Sequence, residues 1–157
     1  MKTSLARFDS AFIKGLGRLE VPFARAAIFI VYFWFGVLKL IGVSPAEQLV
    51  HDLFERTIHF MSFQTFYSLF SGFEVLIGFL FLIRGMERIA IVLISLHLIT
   101  TVMPLFFLPD LTWQSFLVPT LVGQYIIKNV LIAASAVVVG SKIVVREPGR
   151  AGASSSH

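Results

Sequence analysis

Ser71-Gly72-Phe73-Glu74-Val75-Leu76-Ile77-Gly78 sets one carboxylate in the middle of an otherwise apolar run, residues 65–83. Such a run is long enough to cross a bilayer, because roughly 20 helical residues span a hydrocarbon core about 30 Å thick. An ionisable group at that depth costs about 2.5–3.5 kcal/mol on insertion scales unless something compensates it. Glu74 therefore calls for a membrane fold in which a second residue meets its charge.

Three more runs of comparable length, 22–41, 89–108 and 123–145, complete a set of four. The 157 residues are 57% hydrophobic and only 14% charged, against about 25% charged in a typical soluble domain. Lipid is the main solvent, and the chain reads as one all-α membrane domain, a four-helix bundle over 22–145. The net charge of +4 comes from Lys and Arg at the ends of apolar runs, so nucleic acid is not an expected partner. Those residues act as topology signals instead. The chain through Arg25 holds Lys2, Arg7, Lys14, Arg18 and Arg25, the second turn holds Arg84 and Arg88, and the C-terminal end holds Lys142, Arg146 and Arg150. The two opposite connections hold only Arg56. By the positive-inside rule both termini are cytoplasmic. Cysteine is absent, which excludes thiol–disulfide chemistry and thiolate metal sites.

Between the spans, two segments read as interfacial amphipathic helices. Residues 1–21 carry Leu5, Phe8, Phe12, Ile13 and Leu16 at helical spacing among basic residues, a pattern suited to an anionic membrane surface. Pro22 then suits the first turn of span one, with Arg25 snorkelling to the near interface. Ser44-Pro45-Ala46-Glu47 reads as a capping box opening the second amphipathic helix. Pro104 should kink or fray the third span, residues 109–120 should form a surface loop with a short helix, and 146–157 should be a disordered cytoplasmic tail.

Helical spacing then groups the polar residues inside the spans. Tyr67, Ser71, Glu74 and Gly78 share one stripe, as do His97, Thr101 and Pro104, and as do Tyr32, Gly36 and Lys39. Gln124, Lys128 and Ser135 form the fourth. If the stripes meet, Lys39, Glu74 and Lys128 form a cluster in a cavity, with His97, Tyr32 and Gln124 alongside. Two lysines against one glutamate would leave spare positive charge for a polar or anionic head group, and Phe-rich walls would suit an apolar tail. A quinone fits, as does another small amphiphile. Blander alternatives stay open: Lys39 and Lys128 snorkelling to head groups, a Glu74–Lys salt bridge without a ligand, and His97 bonded to a backbone carbonyl. His51, Glu55 and His59 have a spacing that can hold a metal but also suits a solvated helix face, and no metal is expected. Haem b usually needs paired intramembrane histidines, and this chain has one such residue, so no haem is expected.

The same residues resemble the DoxX-like superfamily, most nearly its YkgB/RclC-type branch of small bacterial inner-membrane proteins. The resemblance rests on Arg25 with Tyr32-Phe33-Trp34-Phe35-Gly36-Val37-Leu38-Lys39, on Gly72-Phe73-Glu74-Val75-Leu76-Ile77-Gly78, and on Gly123-Gln124-Tyr125-Ile126-Ile127-Lys128-Asn129. It implies a four-helix membrane bundle and an accessory role in membrane redox or oxidative-stress physiology. It further implies redox partner proteins in the membrane or periplasm, with an oligomer as an open alternative. From the residues themselves, an anion or weak-acid transporter or channel and a purely structural assembly partner are the other readings. No motif marks the chain as an enzyme.

Overall fold

The computed structural model describes residues 2–143, with side chains from residue 9 onward, so the 146–157 tail lies outside the described residues. The chain folds as α1 (Lys2–Leu40), α2 (Glu47–Thr57), α3 (Phe63–Leu82), α4 (Glu87–Val102), α5 (Pro104–Phe107) and α6 (Pro109–Thr112). A hairpin of β1 (Trp113–Ser115) and β2 (Val118–Pro119) follows, then α7 (Leu121–Ile127) and α8 (Val130–Ser141). Four helical stretches are long and apolar enough to cross a membrane: Asp9–Leu40, Phe63–Leu82, Glu87–Phe107 and Leu121–Ser141. The molecule is an all-α polytopic membrane bundle. α3 and α8 each pack against both α1 and α4, which closes the four spans into a ring. Four crossings put α2 and the hairpin at one end, here the α2 end. The Arg84–Arg88 connection lies at the other, the turn end.

Two glycines explain why α1 and α3 share the most extensive contact. A Cβ on Gly36 would stand 2.7 Å from Val75 Cγ2 and 3.1 Å from the Ser71 carbonyl oxygen. A Cβ on Gly78 would stand 3.0 Å from the Phe33 nitrogen. Each helix thus lays a glycine against the other's backbone, as small residues do where membrane helices associate without a hydrophobic driving force. Below the glycine contacts, toward the turn end, Ile28, Ile77, Phe81, Ala90, Ile94 and Val139 form a core in which no residue is more than 2% exposed.

Several boundaries differ from the sequence reading. α1 runs unbroken through Pro22, so residues 2–21 and the first span form one helix about 58 Å long. Proline removes the hydrogen bond to the carbonyl four residues back, that of Arg18, which sits in an exposed stretch where water can replace it. Arg25 does not snorkel but turns inward. Its Nε donates to the Phe81 carbonyl at 2.6 Å, and its guanidinium pairs with Glu87 at 2.7 Å. That places it over an end carbonyl of α3, which has no partner within its own helix. The Ser44 hydroxyl accepts from Ala46 N–H at 3.3 Å, and α2 begins at Glu47 after Ala46 with no side-chain cap, so the capping box does not form. α3 and α7 start two residues earlier than expected, each behind a hydroxyl cap: Ser62 accepts from Thr65 N–H, and Thr120 from Gly123 N–H.

Pro104 interrupts the third span near its far end, as expected, with α4 stopping at Val102 and α5 following. The Thr100 carbonyl, which loses its usual donor to the proline, accepts instead from Met103 N–H at 3.3 Å. The expected loop at 109–120 holds α6 and the hairpin, whose turn residue Leu117 has φ 57°. Positive φ suits the tight turns that join short antiparallel strands. The fourth span is not one smooth helix: at Lys128–Asn129 the backbone bonds shorten to i→i−3, with Asn129 N–H to Ile126 O and Leu131 N–H to Lys128 O.

Candidate functional site

Lys39 and Glu74 meet because their helices run antiparallel. Side chains lean toward the N-terminus of their own helix. Lys39, in the last turn of α1, therefore leans into the membrane, while Glu74 on α3 leans toward the α2 end. The Lys39 ammonium donates to Glu74 Oε2 at 2.5 Å, and both side chains are 7% exposed. The ammonium also stands 5.7 Å from the centre of the Phe70 ring, close enough for cation–π attraction.

The other carboxylate oxygen is taken from α4. His97 Nε2 lies 3.0 Å from Glu74 Oε1, and Nδ1 lies 3.1 Å from the Tyr32 hydroxyl. Hydrogen-bond logic assigns the tautomer. An ionised carboxylate only accepts, so Nε2 carries a proton; in the neutral ring Nδ1 then accepts from the Tyr32 hydroxyl. Thr101 Oγ1 lies 3.2 Å from Nδ1 and 2.9 Å from the His97 carbonyl, to which it donates. The ring is held between Phe70, stacked at 5.0 Å, and Tyr32, edge-on at 5.1 Å. The result is one buried chain, Tyr32–His97–Glu74–Lys39, drawn from three helices. With His97 neutral, its charges sum to zero. Ser71, one turn away on the Glu74 stripe and 0% exposed, donates to the Tyr67 carbonyl at 2.5 Å.

Of the six residues singled out from sequence, the fold brings together Lys39, Glu74, His97 and Tyr32. Lys128 and Gln124 stay outside. Both are exposed on the outer face of α7 and the step that follows it, and the Lys128 ammonium rests 5.0 Å from the Tyr125 ring. The Lys39–Glu74–Lys128 cluster is thus corrected to Lys39–Glu74–His97, and the spare positive charge it implied is not there. The four side chains close on one another through their hydrogen bonds. An open hollow of about 360 Å³ lies at the hairpin, lined by Trp113, Ser115, Phe116 and Leu117.

Spacing alone did not show that His97 is the second partner of Glu74, although the i, i+4 step to Thr101 marked its face. Among the described residues no three His, Asp or Glu side chains converge on a metal position. His59 falls beyond the end of α2, and His51 packs edge-on against Phe63 at 4.6 Å. No family model, curated protein or solved structure matches the chain.

Proposed function

We propose that this is a DoxX-like protein of the bacterial inner membrane with both termini cytoplasmic. In this reading it is a non-catalytic accessory in membrane redox or oxidative-stress physiology, and it binds the head group of a quinone or similar amphiphile at the Tyr32–His97–Glu74–Lys39 chain. The observation that carries the reading is that chain itself: four titratable side chains linked by hydrogen bonds and buried among apolar helices. Ionisable residues inside membranes cluster where ions, protons or polar ligands are handled. The donor set suits a quinone, since its carbonyl oxygen accepts from the Lys39 ammonium, which has N–H groups beyond the one given to Glu74, or from the Tyr32 phenol turned from His97. Phe70 offers an aromatic face beside His97. When bound, a quinone supplies coupled electron and proton uptake. The residues of this chain would orient the head group through Tyr32 and Lys39 and hold a proton at Glu74 or His97. Arg25, Gly36, Lys39, Glu74 and Gly78, which carry much of the family resemblance, are also the residues that clamp or appose α1 and α3.

A neutral cluster favours a neutral head group over an anionic solute, which leaves the transporter reading without its charge argument. The structural reading has an observation of its own: both carboxylate oxygens are already partnered inside the protein. Purification in mild detergent followed by solvent extraction separates the two. Binding predicts quinone recovered near stoichiometry with wild-type protein, quenching of Trp fluorescence on titration with a short-chain quinone, and loss of both in Glu74→Gln. No bound quinone and no quenching would leave the structural reading.

A further inference from the structure

The surroundings of the buried chain differ sharply in its two directions along the helices. Toward the turn end the next layers are Ile28, Ile77, Leu80, Phe81, Ala90 and Ile94, none more than 7% exposed and none with a polar side-chain atom. The next polar side chain on that face of α1 is Arg25, about 10 Å of helix from Tyr32. Toward the α2 end the same distance is lined with hydroxyls. Ser71 lies one turn from Glu74, Tyr67 one turn beyond it, and Ser44 follows closely after Lys39. Tyr67 is 3% exposed, yet its hydroxyl has no hydrogen-bond partner among the described residues. Ser44 is within hydrogen-bonding reach of it, though not in good bonding geometry, and Glu47 and Glu74 are within electrostatic reach. Leaving a buried hydroxyl unsatisfied costs about 1–3 kcal/mol, and such polar sites are where internal water is held in globular proteins.

We propose that the Tyr32–His97–Glu74–Lys39 chain exchanges protons with water at the α2 end only, with Ser44 and Tyr67 as the port and the Ile28–Ile77–Ile94 layer as the seal. A hydronium ion at the port passes a proton to water held along the Ser71 side, each water giving up one proton as it receives another. The last gives its proton to a Glu74 carboxylate oxygen, and release runs in reverse. The charged and titratable groups facing Glu74 are Lys39 and Tyr32 from α1, Tyr67 from its own helix and His97 from α4. Facing His97 are Tyr32 from α1 and Glu74 from α3. α8 adds only Ala136 and Val139 to the buried core. A proton on His97 Nδ1 turns the Tyr32 hydroxyl from donor to acceptor, so protonation of the ring is registered at Tyr32. This inference goes beyond the head-group reading and needs no ligand.

The experiment is infrared difference spectroscopy on full-length protein in lipid vesicles sorted by orientation, with buffered interiors and the external pH stepped. The Glu74 carboxyl band is assigned by its absence in Glu74→Gln. With the α2 end outward, an external step should change the band; with the α2 end inward, the same step should leave it unchanged. Tyr67→Phe keeps the ring stacked on Phe63 and removes only the hydroxyl. It should slow the response at least tenfold without altering its final amplitude. Equal responses in both orientations, a response only with the α2 end inward, no response in either, or an unchanged rate in Tyr67→Phe overturns the proposal. No quinone is present, so the result is independent of whether the head-group reading stands.

Discussion

Glu74 accepts one hydrogen bond from α1 and one from α4, so removing its charge affects two helices at once. Glu74→Gln would leave the Lys39 ammonium buried without a counter-charge, a change that typically costs about 3–5 kcal/mol. Adding Lys39→Met removes the orphaned charge and should recover much of that loss. Unfolding in mixed micelles followed by circular dichroism measures both, and a double variant no more stable than Glu74→Gln would refute the pairing. Lys128→Ala should cost no more than the about 0.5–1 kcal/mol of an exposed cation–π contact. Lys39 and Glu74 were legible in the sequence, because topology gives depth and helical spacing gives a face. Lys128 was misplaced for a specific reason: a stripe defines a face but not the direction it points. The step at Lys128–Asn129 also breaks the continuity on which the fourth stripe relied.

At the scale of the helices, α1 and α3 depend on Gly36 and Gly78 for their approach, whereas Gly72 on α3 has open space where a Cβ would go. Gly36→Ala should therefore destabilise by about 1–3 kcal/mol, as overpacking does. Gly72→Ala should be neutral or stabilising, since alanine is the better helix former. The same unfolding assay ranks them, and equal effects would mean that the close approach is unimportant. The four apolar runs were readable because their length and composition alone meet the bilayer requirement. The joints were harder. Pro22 resembles a helix start in isolation, but here the carbonyl it leaves without a donor, that of Arg18, lies on exposed helix. Ser44 resembles a cap, while the working caps are Ser62 and Thr120, whose signal is a hydroxyl three residues before a backbone N–H that it can accept.

For the whole molecule, the ring of four spans places α2 and the hairpin opposite the Arg84–Arg88 connection. Because the chain has no cysteine, single-cysteine variants test this arrangement without background. Ser115→Cys should react with a membrane-impermeant thiol reagent in intact cells, and Arg84→Cys only after permeabilisation. Labelling of both in intact cells would contradict the arrangement, and the reverse pattern would invert the orientation proposed here. The same ring has an uneven mechanics. The reciprocal glycine contacts make α1 and α3 a single stiff beam, and Lys39 and Glu74 both belong to it. α4 is interrupted at Met103–Pro104 and the fourth span at Lys128–Asn129, so bending compliance gathers in the half that carries His97. The ion pair thus joins the two helices held in closest apposition, whereas the bonds from His97 to Glu74 and Tyr32 reach across to the half with the interrupted helices.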